Sequence, residues 1–220
     1  MCCDAVAPDG GRLDLTLGVN DGWRAAQWDI VEGDLEVTAV NAYQVHGTRV
    51  LTVDAGSDRR AIAREQADAL VTTDRRLAVA VRVADCVPVL FADPDAGVVA
   101  AAHAGRVGLG PGVLPATVAR MIELGAGHIT AWIGPHICGE CYEVPAALQA
   151  EYGQVHPAAL ATTSWGTPSL DLGAAAAAQL AAQVCTVVRV DPCTRTTPTL
   201  HSYRRDGAAS GRQAALAWLP

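Results

Sequence analysis

Apolar residues fall in short, β-branched runs at residues 35–45, 77–83, 87–92, 98–102, 129–133 and 187–190, and each run predicts a strand. Helical spacing is found at residues 60–67, 112–124, 146–151 and 172–184. The last stretch holds five consecutive alanines at 174–178; because Ala is the best helix former, this reads as helix and not as disorder. Strands and helices mix without strict alternation, and no repeat or linker interrupts them. The pattern predicts one α+β domain over residues 1–220, with sheets covered by helices. Two apolar strands flank Cys86, and Pro88, which has no N–H, is expected to break the ladder there and leave the thiol at a kink.

The 220 residues are half hydrophobic, enough for a sizeable core and against extended disorder. Sixteen basic against twenty-three acidic residues give a net charge of −7, which is not the footprint of a nucleic-acid polymer binder. All sixteen basic residues are Arg. A chain without Lys excludes Schiff-base, pyridoxal and P-loop chemistry, each of which needs the Lys amine. No apolar run reaches the ~18 residues of a membrane span. Residues 1–12 lack the basic-then-apolar order of a signal peptide. Seven irregularly spaced Cys then point to free thiols in a reducing cytoplasm.

Three segments place compact polar groups in apolar surroundings: Gln44-Val45-His46-Gly47, Ala84-Asp85-Cys86-Val87-Pro88 and Ala100-Ala101-Ala102-His103-Ala104-Gly105. Each reads as the end of a buried strand, and together they offer imidazole, thiolate and imidazole. Two His and one Cys form a plausible catalytic zinc set with a fourth position open to water. A trigonal version suits copper if a weak axial ligand is present. No short-range ligand spacing supports either metal, so the three would have to converge in space. The competing reading makes His46 and His103 satisfied core histidines and Cys86 a small hydrophobe.

Five motifs occur in order: QVHG at 44–47, ADCVP at 84–88, HAG at 103–105, IGPHIC-x-x-CYEV at 133–144 and SYRRDG-x-x-x-GRQAA at 202–215. Together they resemble the laccase-domain, or multicopper polyphenol oxidase, family of YfiH-like proteins, from about Leu13 to the C-terminus. The resemblance implies an αββα sandwich with mixed β-sheets and one zinc ion held by His46, Cys86 and His103. It also implies phosphorolysis of adenosine, inosine, guanosine and methylthioadenosine, with adenosine deamination beside it. Zinc lowers the pKa of a bound water to roughly 7, which suits attack on C6 of adenine. Phosphorolysis needs an anion cradle, and guanidinium suits phosphate. Arg204, Arg205 and Arg212 are candidates, against a structural role such as pairing with Asp206. Gln44, two residues from His46, is a candidate substrate contact. Asp85 is a candidate to orient a metal-bound imidazole, or else to cap a turn.

The sequence departs from the family pattern at His103-Ala104-Gly105-Arg106-Val107-Gly108, where the family reads HAGWRG. Arg106 is the candidate to replace the missing family Arg, although adjacent extended residues point to opposite faces. His201 stands where the family favours Phe. The usual opening strand is missing, and residues 13–18 match only the segment after it, so that part of the site or a pairing edge is expected to be exposed. Cys138-x-x-Cys141 has the spacing of a redox or zinc half-site, while the resemblance makes Cys141 ordinary and gives Cys193, in a motif near the site, a structural role or one supporting the residues of the site. Tyr142 and Glu143 read as packing before a helix start at Pro145. His128, His136 and His156 are expected on the surface.

These observations predict a cytoplasmic zinc enzyme acting on nucleoside and phosphate, with copper as a possible metal. A copper-dependent phenol oxidase, a Cys–His thiol hydrolase and a zinc scaffold without activity remain alternatives. With only six His, the chain is poorly supplied for several coppers.

Overall fold

The computed structural model describes residues 13–16 and 22–220. The strands are β1 (Thr38–Val40), β2 (Val50–Thr52), β3 (Ala69–Thr72), β4 (Leu77–Val83), β5 (Val87–Asp93), β6 (Val98–Ala104), β7 (Thr130–Ile133), β8 (Leu160–Thr162), β9 (Pro168–Leu170), β10 (Thr186–Arg189) and β11 (Gln213–Ala217). The helices are α1 (Gly22–Leu35), α2 (Arg59–Ile62), α3 (Arg106–Leu109), α4 (Val113–Glu123), α5 (Ala146–Val155), α6 (Leu172–Ala182) and α7 (Tyr203–Asp206).

Two mixed sheets carry the fold, one of three strands in the order β1-β4-β11 and one of six in the order β10-β7-β5-β6-β3-β2. Strand alternation sorts their side chains into layers. In β4, Leu77, Val79 and Val81 join Val99 and Ala101 of β6 in a core between the sheets. Ala78 and Ala80 of the same strand face outward against Leu13, Leu15, Trp28 and Val31, the last two from α1. On the far side of the large sheet, Ala100, Ala102 and Phe91 pack on Leu114, Val118 and Met121 of α4 and Leu180 of α6. The small alanines of β6 let these larger side chains approach the sheet. Burying a Val, Leu or Phe contributes about 1.5–3 kcal/mol, so three such layers supply most of the driving force. The architecture is the expected αββα sandwich.

Several boundaries differ from the sequence pattern. The run at 35–45 yields only β1, because Leu35 closes α1 and the chain after Val40 leaves the sheet to deliver Gln44 and His46. The helix expected at 60–67 stops at Ile62. Pro88 does not break its strand. It lies within β5, opposite His103, and its carbonyl accepts from the Gly134 N–H at 2.9 Å. In a strand the N–H and C=O of one residue point the same way, so the donor Pro88 lacks would face β7 beyond the last registered pair, Val89 with Ile133. The break instead falls at Ala84-Asp85-Cys86, where the chain crosses from the small sheet to the large one. His136 is buried, not on the surface, with Nδ1 2.9 Å from the Gly134 carbonyl oxygen. The readings of residues 1–12 and of Leu17 and Gly18 lie outside the described residues. Among the described residues, no helix is long and apolar enough to cross a membrane.

Candidate active site

The three candidate ligands meet at one end of the sandwich, and each arrives by a different route. His46 lies on the connection from β1, in the small sheet, to β2, in the large one. Cys86 lies on the crossing from β4 to β5, and His103 is on β6, on the strand face that looks toward the small sheet. Their ligating atoms all lie within 4.8 Å of one another. Cys86 Sγ and His46 Nε2 are 3.6 Å apart. A tetrahedral ion with bonds of about 2.0–2.1 Å to nitrogen and 2.3 Å to sulfur holds such a pair about 3.6 Å apart. The donor set therefore fits a zinc-sized ion.

Asp68, which the motifs did not single out, organises this triad. It immediately precedes β3, and the register of β3 on β6 sets it beside His103. Its carboxylate is 2.7 Å from His103 Nδ1, and its own carbonyl accepts from the His103 N–H at 2.7 Å. That contact turns the other ring nitrogen, Nε2, toward the site. The same carboxylate accepts from the N–H groups of Val45, His46 and Gly47 at 3.2, 2.9 and 2.7 Å. Three successive amides on one anion hold the loop that carries His46, whose φ of 61° is left-handed. Such a conformation costs on the order of 1–3 kcal/mol and persists when its surroundings over-determine it. The available signal in the sequence was a lone Asp directly before the apolar run at 69–71.

Charge in the triad is strongly coupled. Burial pushes the Cys86 thiol up, but the charge and hydrogen bond of His103, and then of His46, outweigh burial and bring it down to about 6. Burial pulls His103 down, while the Cys86 charge and the Asp68 hydrogen bond raise it to about 9. Both shifts favour the thiolate–imidazolium form of the pair. Gly105 closes the site from below: a Cβ there would lie 2.4 Å from His46 Cδ2 and 3.0 Å from Cys86 Sγ. Gly105→Ala is expected to push the His46 ring off its position and weaken metal binding at least about tenfold, measured by competition with a chromophoric chelator. Unchanged affinity would show that the ring has room to move.

The triad opens into a pocket of about 550 Å³. Around it stand Arg82, Arg204, Arg212, Tyr43, Tyr142 and Tyr203. A cavity of similar size, about 590 Å³, at Leu90, Trp132, Pro192 and Trp218 has no titratable or ligating side chain on its walls. Arg204 lies over the Tyr142 ring at 5.0 Å and donates to the Glu143 carbonyl at 2.9 Å. Arg212 lies over the Tyr203 ring at 6.0 Å and donates to the Ser210 and Gly211 carbonyls. Arg82 was not singled out from the sequence. It is largely buried, its Nε has no hydrogen-bond partner, and burial followed by repulsion from Arg212 lowers its pKa to about 10.

The remaining candidates take other positions. Gln44 reaches the pocket wall, but its side-chain amide is paired with the backbone of Arg82, donating to the carbonyl and accepting from the N–H at 2.8 Å each. Asp85, with φ of 86°, accepts from Thr194 Oγ1 and from the Arg204 N–H at 2.6 Å each, and so fixes α7 against the pocket. Arg205 points away from the pocket; it pairs with Asp206 and donates to the carbonyls of Thr194 and Leu200. Arg106 begins α3 and is not on the pocket wall. His201 is buried, with Nε2 2.6 Å from the Leu13 carbonyl oxygen.

Comparison with known proteins places these features in a family context. The family model described as multi-copper polyphenol oxidoreductase laccase matches residues 13–220. A purine nucleoside phosphorylase of Streptomyces coelicolor is 52% identical over 179 residues, which cover 80% of this chain and 73% of that protein. An adenosine deaminase of an unknown prokaryotic organism is 33% identical, covering 96% of this chain and 83% of that protein. The crystal structure of the hypothetical protein YfiH of Bacillus licheniformis superposes with a TM-score of 0.87 at 26% identity, covering 100% of this chain and 91% of that one.

Proposed function

We propose that this chain, which belongs to the multi-copper polyphenol oxidoreductase laccase family of YfiH-like proteins, is a zinc-dependent purine nucleoside phosphorylase with adenosine deamination as a side activity. The observation that carries the reading is the joining of two chemistries in one pocket: a His46–Cys86–His103 donor set beside a corner of three arginines. The names of its relatives, purine nucleoside phosphorylase and adenosine deaminase, point the same way.

The pocket lies within the ~300–1,000 Å³ typical of small-molecule sites and has room for a nucleoside with phosphate beside it. Tyr142 and Tyr203 offer ring faces to the purine, each already beside a guanidinium. Arg82, Arg204 and Arg212 supply charge and N–H donors for phosphate, held in place by backbone carbonyls before any ligand arrives. In phosphorolysis a phosphate oxygen bonds to C1′ as the bond from C1′ to N9 breaks, and the purine leaves with the electron pair and takes up a proton. The arginines bind and aim the nucleophile; the tyrosines orient the base. His46, Cys86 and His103 would hold a zinc ion that, when bound, would supply Lewis acidity toward the departing purine in phosphorolysis and activated water at neutral pH for deamination. Asp68 keeps His103 in the tautomer whose free nitrogen faces that ion.

Arg82→Gln is expected to raise the half-saturating phosphate concentration about 10–100-fold, since a hydrogen bond to a charged group contributes about 1.5–3 kcal/mol. The nucleoside KM should move much less. Initial rates against both substrates check this, and equal effects on the two would remove Arg82 from the phosphate corner. The reading as a whole is tested by inosine turnover. Hypoxanthine release should saturate with phosphate and stop on chelation; release independent of phosphate would contradict it.

One observation favours a second reading. The thiolate–imidazolium pair of Cys86 and His103 is also the arrangement of a Cys–His thiol hydrolase. Chelation separates the two, because a thiol hydrolase survives it. A copper-dependent polyphenol oxidase would use the same triad. Among the described residues, His side chains join a candidate metal group only there, so the pocket offers imidazole ligands for one copper and not for several.

A further inference from the structure

We infer that Cys138, Cys141 and Cys193 form a second metal site, separate from the nucleoside pocket, that takes one soft d10 cation of the zinc class. Their three sulfurs lie within 4.8 Å of one another. A tetrahedral zinc ion with bonds of about 2.3 Å holds two sulfurs about 3.8 Å apart, so closure asks for at most about an ångström of movement. None of the three thiols is in a disulfide, Cys141 is buried, and the other two are half-buried. None of the three lines the pocket of the first triad.

The topology explains why they meet. Cys138 and Cys141 follow β7, and Cys193 follows β10; these are neighbouring parallel strands, in register from Thr186 with Thr130 to Arg189 with Ile133. Beyond that ladder an isolated bridge pairs His136 with Cys193 and keeps the two loops together. The loop from Cys138 to Tyr142 turns tightly, with the N–H groups of Cys141 and Tyr142 both donating to the Cys138 carbonyl at 3.0 Å. A Cβ on Gly139 inside this turn would lie 2.9 Å from Asp171 Cβ and 3.0 Å from Ala161 Cβ, so the turn is pressed against its neighbours.

Cys193 is surrounded as a metal-bound thiolate would be. The Cys138 N–H donates to its sulfur at 3.3 Å, and the backbone N–H groups of Arg195 and Thr196 are directed at it. Backbone amides converging on a sulfur favour its anionic, ligating form. Arg205, paired with Asp206, donates to the Thr194 and Arg195 carbonyls and so fixes the loop that carries Cys193. Three converging donors argue for a cation over a disulfide, which would use two sulfurs and strand the third. Thiolates without imidazole or carboxylate select soft cations, and three of them leave one position to solvent.

A bound ion would clip the loop after β7 to the loop after β10. That matters for the pocket because Thr194, next to Cys193, holds the Asp85 carboxylate at 2.6 Å, and Asp85 adjoins Cys86.

The test is metal content after equilibration with zinc and removal of free ion. Wild type should hold two equivalents per chain. Cys86→Ala should keep one, and Cys138→Ser should keep the other. Retention by Cys86→Ala isolates the second site from any failure of the nucleoside reading. If Cys138→Ser does not fold, zinc X-ray absorption on wild type decides: both sites loaded give an average of two sulfurs per zinc, the first site alone gives one. A single equivalent in wild type, no zinc in Cys86→Ala, or a disulfide among Cys138, Cys141 and Cys193 in freshly purified protein would overturn the site.

Discussion

Cys86→Ala is expected to lower kcat/KM for purine nucleosides by at least about 10³-fold and to remove the ion from the pocket. Metal Lewis acidity contributes several kcal/mol to transition-state stabilisation, and each 1.36 kcal/mol is a factor of ten in rate. Removing one of three ligands leaves two imidazoles, too few to hold the ion at the correct place. The protein itself should stay folded. Cys86 lies on the crossing between the two sheets and is only half-buried, outside the three apolar layers. Circular dichroism and the thermal midpoint would check the fold, and elemental analysis the ion. Turnover within tenfold of wild type would show that the triad is not the reacting centre.

The second large effect is expected at Asp68, a positioning residue. Asp68→Asn keeps the shape but removes the charge that faces His103 Nδ1 and the three amides of residues 45–47. Loss of such a partner typically costs 10–100-fold in metal affinity. Asp68→Ala goes further. It leaves the buried His103 ring without its Nδ1 partner, at about 1–3 kcal/mol, takes the acceptor from the amides of residues 45–47, and frees the left-handed loop at His46. Several kcal/mol of stability should be lost, enough to unfold a marginal domain. The diagnostic readout is zinc affinity in the Asn variant, which a merely structural role would leave unchanged. Equal affinity in wild type and Asp68→Asn would remove Asp68 from this role.

The limits of the sequence reading have physical causes. β4 is visible at its true bounds because its six apolar residues, interrupted only by Arg82, place Leu or Val at every second position. β11, with the sequence QAALA, is invisible because alanine carries little β preference; its pairing with β4 makes it a strand. The three candidate ligands stood out because each is a polar group at the end of an apolar run. Asp68 and Arg82 did not, since their roles are set by partners far along the chain: His103 is 35 residues from Asp68, and Arg82 meets Arg212 only in space. The Cys138-x-x-Cys141 spacing was visible, but that Cys193 completes the group depends on the pairing of β7 with β10. Likewise Pro88 looked like a strand breaker because sequence does not say which side of a strand lacks a partner.

The most direct measurement is a product chromatogram of adenosine incubated with phosphate, using wild type and Cys86→Ala purified identically. The proposed function predicts adenine as the main product and some inosine from wild type, with adenine dependent on phosphate, and neither product from the variant. No product from wild type, or the same products from Cys86→Ala, would contradict it.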